Sequence, residues 1–89
     1  MGDQGPVVDP TSPVYVYVQV ANAIEADIRS GRLPVGARLA GEQDLAAQYG
    51  IAKGTASRVA RELRERGLAI TVPNKGTFIV QPPQPPADE

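Results

Sequence analysis

Residues 42–68 read EQDLAAQYGIAKGTASRVARELRERGL, and this stretch decides the fold. It holds two short amphipathic segments on either side of Gly50, a residue that permits a tight turn. Apolar residues recur at helical spacing in 42–49 and again in 52–66, and Gly67 ends the second segment. The stripes predicted to be buried are Leu45, Ala46 and Tyr49 in the first helix and Ala56, Val59, Ala60 and Leu63 in the second. Two helices joined by so short a turn cross at a steep angle, as in a helix-turn-helix.

An earlier helix is predicted by apolar residues spaced three, four and four positions apart, namely Tyr17, Val20, Ile24 and Ile28. It ends at Ser30, because Gly31 readily takes the left-handed backbone conformation that closes a helix. Its start stays open between two alternatives. Ser12 and Pro13 suit a helix cap and a first helical position, whereas the alternating VYVYVQV of 14–20 also fits extended chain.

Two β-branched runs, 68–72 and 77–80, flank the turn residues 73–76 and predict a β-hairpin. The connector between the first two helices carries a short possible strand at 37–39. The element order is therefore helix, short strand, helix, tight turn, helix and hairpin. This order predicts a mainly α fold with a small β-hairpin (α+β), the winged helix-turn-helix arrangement.

The chain of 89 residues is long enough for one small domain. We assign residues 13–81 to the winged helix-turn-helix domain, residues 1–12 to a flexible N-terminal segment and residues 82–89 to a proline-rich tail. The N-terminus lacks the basic and apolar runs of a signal peptide. No apolar run approaches the ~20 residues of a membrane span, so we expect no membrane partner.

Cysteine and histidine are both absent, which removes disulfides, thiolate and imidazole metal ligands and imidazole acid–base catalysis. We therefore expect no metal and no cofactor. The formal net charge is −1, but residues 52–77 hold six Lys and Arg against two Asp and Glu. Local rather than total charge governs attraction to phosphate. A run of this kind is also typical of a solvated helix face.

The helix predicted over 52–66 is suited to the major groove of DNA, because its leading end presents unpaired amides and a positive dipole. Its exposed face carries Lys53, Ser57, Arg61 and Arg64, and its first turn consists of small residues. The hairpin tip adds Lys75 and a glycine, where a wing would meet the minor groove or the backbone. Taken singly, each feature also fits an ordinary solvated helix or a good turn.

Four motifs in order together resemble the N-terminal DNA-binding domain of GntR-type regulators, over residues 15–80. They are SGRLPxGxRL at 30–39, LAxxYGI at 45–51, GTxxR at 54–58 and GTFIV at 76–80. The resemblance implies that Lys53 contacts bases or phosphates, that Thr55 contacts a phosphate, and that Gly76 forms the wing tip. The residues predicted to bind DNA are Gln43, Ala52, Lys53, Gly54, Thr55, Ser57, Arg58, Lys75, Gly76 and Thr77.

The sequence departs from the pattern of that family at three places. Ala40-Gly41 replaces the usual Pro-Ser before the second helix, so its N-terminal cap is expected to be weaker. Gln43 and Ser57 stand where the family usually has arginines. Arginine reads guanine, whereas glutamine prefers adenine edges and serine reads either base. We therefore expect an operator unlike that of typical members.

The resemblance implies a transcription regulator that binds double-stranded DNA of specific sequence. We expect a homodimeric repressor on an inverted-repeat operator, located in the cytoplasm and on the nucleoid when bound to DNA. Family members continue into a large effector-binding domain, but no segment of this chain could form such a pocket, of ~300–1,000 Å³. We expect a stand-alone module; the alternative is a domain cut from a longer regulator.

Two other function classes are less favoured. A protein-interaction module would suit the acidic total charge. An enzyme has no support, because no nucleophile–base pair is recognisable and the carboxylates are predicted on exposed helix faces, namely Glu25, Asp27, Glu42, Asp44, Glu62 and Glu65. The aromatic residues are predicted to supply core area rather than to stack on bases, namely Tyr15, Tyr17, Tyr49 and Phe78.

Overall fold

The structure, a computed structural model, describes residues 8–80. In chain order its elements are α1 (Val16–Ser30), α2 (Glu42–Tyr49), α3 (Lys53–Glu65), β1 (Ala69–Val72) and β2 (Gly76–Ile79). The predicted winged helix-turn-helix arrangement is confirmed, and α2 has the predicted bounds. The predicted tail at 82–89 and the first seven residues lie outside the described range. Within that range, none of the helices has the length and apolar character needed to cross a membrane.

The start of α1 decides between the two alternatives left by the sequence. Tyr15 precedes the helix with extended φ and ψ of −56° and 144°. Ser12 is not the helix cap, because α1 begins only at Val16 with Tyr15 at the cap position. The Ser12 Oγ accepts a hydrogen bond from the amide of Val14 at 3.0 Å within the turn that precedes the helix. The turn at 9–12 is hydrogen-bonded to Gln19 of α1, because the amide of Asp9 donates to Gln19 Oε1 at 2.7 Å. The last residues of the segment predicted to be flexible are thus bonded to α1.

The hydrophobic core lies between α1 and α3, and the base of the hairpin covers one side of it with Ala69 and Ile79. Val20 on α1 and the stripe Ala56, Val59 and Leu63 on α3 are all fully buried, as predicted. Burial of one such aliphatic side chain contributes about 1.5–3 kcal/mol. Four residues predicted to be buried are only half-buried, because they lie at the margins of the core, namely Tyr17, Ala46, Tyr49 and Ala60.

Strands β1 and β2 form an antiparallel hairpin in which Ala69 pairs with Ile79 and Val72 with Gly76. The strand expected at 37–39 is reduced to a single bridge between Arg38 and Phe78. The backbone nevertheless bonds to the outer edge of β2, since the amide of Leu39 donates to the carbonyl of Thr77 at 2.8 Å. The connector between α1 and α2 therefore fixes the hairpin, hereafter the wing, against the helices.

The wing turns at Val72–Lys75, where the amide of Lys75 donates to the carbonyl of Val72 at 3.0 Å. Proline at the second position and Asn74 at the third, with φ of 66°, are typical of a type II turn. Gly76 follows with φ of 126°, a conformation that disfavours other residues. A Cβ at Gly76 would lie 2.7 Å from Nε of Arg38. Glycine thus lets the Arg38 guanidinium lie directly against the wing backbone.

A half-buried ion-pair network joins α1 to α3. Arg66 Nη1 donates to Glu25 at 2.9 Å, and its Nε donates to Glu62 at 3.0 Å. Glu25 also accepts from Arg29 at 2.6 Å. Bonds from Arg29 and Arg66 hold the pKa of Glu25 below its ordinary value. The carboxylates Glu25, Asp27 and Glu62 were predicted to be exposed; they are half-buried, and each pairs with an arginine.

We predict that Glu25→Gln lowers the free energy of unfolding by about 1 kcal/mol at neutral pH, since the network is partly solvated. The lowered pKa stabilises the fold above the ordinary carboxyl value of about 4.3, and this contribution is lost as pH falls through the folded-state pKa. Urea unfolding followed by circular dichroism across this pH window should show a shallower pH dependence for Glu25→Gln. The control is Glu65→Gln, whose side chain is 63% exposed in its pair with Arg61. An equal loss in both variants would contradict the prediction.

We also predict that Gly76→Ala costs about 1–3 kcal/mol, because alanine is strained at this φ and its Cβ meets Arg38. Gly54→Ala is the matched control, since a Cβ there has no neighbour within 4 Å and helical alanine is favourable. Chemical denaturation of both variants checks the difference. Equal stability of the two would show that Gly76 is not conformationally required.

Candidate nucleic-acid interface

One stripe of α3 faces away from the core and is open along its length. Lys53, Ser57 and Arg64 are exposed, and Ala60 is half-buried between them. Their spacings of four, three and four residues place them on one side of the helix. Lys53, Ser57 and Arg64 are exposed as the sequence predicted; Arg61, predicted with them, is also exposed but pairs with Glu65 at 3.4 Å, and Ala60 was predicted to be buried. The three polar residues of the stripe therefore stay outside the core, while Ala60 packs against its margin.

The leading end of α3 is compact and uncapped. Ala52 precedes the helix in extended conformation, and no side chain caps its first turn. Gly54 is exposed with open space around its Cα, whereas Thr55 is half-buried. The first amides of a helix have no partner within the helix. These small residues thus leave unpaired amides accessible to an acceptor from outside.

The wing lies beside the trailing half of the same stripe. Arg64 Nη1 donates to Thr71 Oγ1 at 3.2 Å, and Thr71 shares a further hydrogen bond with Thr77 at 3.0 Å. Lys75 is exposed at the turn, whereas Gly76 and Thr77 are half-buried. Helix α3 and the wing therefore form one continuous surface, joined through a side-chain bond.

The N-terminus of α2 borders this surface from the other side. Gly41 precedes the helix and offers no side-chain cap, as expected from the Ala40-Gly41 sequence. Gln43 in the first turn is exposed. Gly41 and Glu42 line a groove together with Arg64 of α3 and Thr77 of the wing. The structure thus brings the start of α2 next to the two elements that carry most of the predicted site residues.

Arg58 is the predicted site residue that the structure places elsewhere. It lies about 100° round α3 from Ser57. Its guanidinium carbon stands 4.4 Å from the centre of the Tyr17 ring. Tyr15 stacks on Tyr17 with ring centres 6.1 Å apart and is 74% exposed. The prediction that Tyr15 supplies core area is wrong, because this residue precedes α1 and lies outside its apolar stripe.

Arg38 is a surface cation that the sequence reasoning missed. It bridges to Phe78 on the outer edge of the wing, and its guanidinium lies against Gly76. The available signal was the basic residue in SGRLPxGxRL, one position before a buried leucine. No local sequence pattern indicates the pairing of Arg38 with Phe78 that places Arg38 against the wing. Arg64 was recognised as exposed but not as part of the site.

The cations of residues 8–80 divide into an ion-paired group and an unpaired group. Among residues 8–80, four arginines form ion pairs with carboxylates, namely Arg29, Arg32, Arg61 and Arg66. The five other cations of this range form none, namely Arg38, Lys53, Arg58, Arg64 and Lys75. Four of them lie on the α3 stripe, the wing or the connector beside it, whereas Arg58 lies apart over the Tyr17 ring. An unpaired set of cations on one surface produces a positive local field despite the negative total charge.

Residues 16–79 match the family described as "Bacterial regulatory proteins, gntR family". The chain is 42% identical over 64 residues to the HTH-type transcriptional regulator SmoD of Agrobacterium fabrum, covering 72% of this chain and 27% of that protein. It is 35% identical over 72 residues to the histidine utilization repressor of Klebsiella aerogenes, covering 81% and 30%. The chain thus spans less than a third of the length of these two relatives. Both are named as regulators of expression rather than as enzymes, in agreement with the sequence analysis.

The fold also matches a solved structure, the DNA-binding domain of AraR in complex with operator ORE1. The TM-score is 0.71 at 27% identity, and the match covers 88% of this chain and 94% of that one. The helices, the wing and the motif order all agree with the resemblance stated from the sequence. The chain belongs to the GntR family of bacterial regulatory proteins, and residues 16–79 form the winged-helix DNA-binding domain of that family.

Proposed function

We propose that this domain places the leading half of α3 in the major groove of a specific DNA sequence and lays the wing on the adjacent backbone. The observation that carries the proposal is the open stripe of α3, which continues into the wing through the bond from Arg64 to Thr71. An α-helix fits the major groove, and the unpaired cations beside the stripe supply attraction to phosphate. The proposal also rests on the likeness to an operator-bound domain.

The residues divide into two roles. Lys53 and Thr55 contact phosphates at the leading end, while the small side chains of Ala52 and Gly54 let the backbone approach. Ser57 and Gln43 read base edges, because both are exposed and carry neutral hydrogen-bonding groups. The first role supplies affinity for any duplex, and the second supplies sequence preference.

The wing and Arg58 bind on either side of α3. Lys75 at the turn reaches the backbone or the minor groove, with Gly76 and Thr77 presenting backbone amides beside it. Arg58, held over the Tyr17 ring, faces away from the wing and reaches the opposite backbone. The two contacts fix the rotation of α3 about its axis in the groove.

We further propose that the protein represses transcription as a homodimer on an inverted repeat, acting in the cytoplasm and on the nucleoid. Two copies would place their α3 helices one helical turn of DNA apart, about 34–36 Å. The exposed Val14 and Tyr15 before α1 are available to a second copy. The repressor role is supported by the name of the Klebsiella aerogenes relative.

Selection from a random duplex library tests this function. We expect the 89-residue chain to enrich an inverted repeat whose half-sites are centred about 10–10.5 base pairs apart, with two chains per duplex by native mass spectrometry. Enrichment of a single half-site with one chain bound would contradict the homodimer. Failure to enrich any sequence over random duplex would contradict specific DNA binding and would favour a protein-interaction role.

Charge-removing variants test the placement of the interface. We predict that Lys53→Ala and Lys75→Ala each weaken binding to the enriched duplex and lower the slope of log K against log salt by about 0.9, because each removes one phosphate contact. Fluorescence anisotropy over a series of salt concentrations measures both quantities. Arg32→Ala is the control, since Arg32 is exposed at the end of α1 and pairs with Asp27. Unchanged slopes for both lysine variants would show that the interface lies elsewhere.

A further inference from the structure

A groove of about 260 Å³ opens where the start of α2, the trailing half of α3 and the wing meet. Two guanidinium groups border it, Arg38 from the connector and Arg64 from α3. The hydroxyl residues Thr71 and Thr77 form its wing side. Neither arginine is among the ten residues predicted to bind DNA.

The two arginines retain donors for a ligand. Neither forms an ion pair with any carboxylate among residues 8–80. Arg64 uses Nη1 for Thr71 at 3.2 Å, which orients the guanidinium along the groove. A guanidinium has five N–H donors, so this bond leaves most of them available. The Arg38 guanidinium is held against Gly76, where any larger residue would displace it.

Charge and size indicate the kind of ligand. Glu42 is the one carboxylate that lines the groove, so two positive groups face one negative group. The volume is below the ~300–1,000 Å³ typical of pockets for organic ligands. Arginine forks match the oxygens of a phosphoryl group in geometry and charge. These features favour a single phosphoryl group.

We infer that this groove binds one phosphodiester of the DNA backbone, through Arg38 and Arg64. The inference rests on the proposed function. Arg64 follows Lys53 by eleven residues, which along a helix is about 16 Å. The major groove is about 12 Å wide, so a helix that enters by Lys53 has Arg64 at the rim, where the backbone runs. The groove thus adds a phosphate contact at the trailing end of α3, besides those proposed at the leading end of α3 and at the wing tip.

The test compares Arg64→Gln and Arg38→Gln with Arg61→Gln in the 89-residue chain, on the duplex enriched from the random library. Arg61 is the matched control, since it lies on the same helix, is 65% exposed and pairs with Glu65. We expect each groove variant to lower the salt slope by about 0.9 and Arg61→Gln to leave it unchanged. Arg64→Lys should keep the slope but bind less tightly than wild type, because it keeps the charge and loses the fork.

Three outcomes would overturn the inference. The first is an unchanged salt slope in both groove variants. The second is an equal decrease of the slope in Arg61→Gln, which would show that any positive charge on α3 has this effect. The third is a free-phosphate site, in which inorganic phosphate shifts the Thr71 and Thr77 amide resonances more than chloride does at matched ionic strength, while Arg64→Gln leaves DNA binding unchanged. If wild type enriches no sequence, the proposed function itself fails. Thermal unfolding of each variant confirms that the exposed substitutions leave the fold intact.

Discussion

The packing of α1 against α3 is the constraint on which the remainder of the structure depends. Val20 and Ile24 of α1 meet Val59 and Leu63 of α3 in a core with almost no solvent exposure. A helix as short as α3, with 13 residues, is marginal in water by itself and is stabilised mainly by burying one face. Because that face is buried, the polar residues Lys53, Ser57 and Arg64 remain outside the core. The site is thus a consequence of where the core is placed.

The wing depends on the same core, but backbone hydrogen bonds from the connector between α1 and α2 set its position. Ile79 of β2 is buried with Leu68, which anchors the base of the hairpin. The connector then bonds along the outer edge of β2, with the amide of Ile79 donating to the carbonyl of Ala37 at 2.9 Å. A two-stranded hairpin is marginal by itself, so this third backbone segment stabilises it and covers an exposed edge. The geometry between wing and α3 therefore depends on a loop far away in sequence.

This dependence explains what could and could not be predicted from the sequence. Helix α2 and the buried stripe of α3 follow from local apolar spacing, and the glycine at 31 marks the end of α1. The position of Arg38 does not follow, because it is set by a long-range contact with Phe78. The exposure of Tyr15 does not follow either, because it depends on α1 beginning only at Val16, a start that the sequence left open. Ala60 was predicted to be buried from its helical spacing, yet it is half-buried and lines the groove between α2, α3 and the wing. Local periodicity identifies elements, whereas the details of a surface depend on how elements meet.

The division of the arginines into paired and unpaired groups bears on DNA binding. On the side of α1 and the end of α3, carboxylates neutralise arginines at short range, as Glu25 and Glu62 do for Arg66. Paired charges attract a distant polyanion weakly, because the fields of the partners cancel beyond a few ångströms. The unpaired cations of α3, the wing and the connector have no such cancellation, and the Debye length of about 8 Å at physiological salt lets them act together only on a nearby surface. An acidic chain can therefore present a surface on which unpaired cations outnumber carboxylates, as Arg38 and Arg64 outnumber Glu42 at the groove.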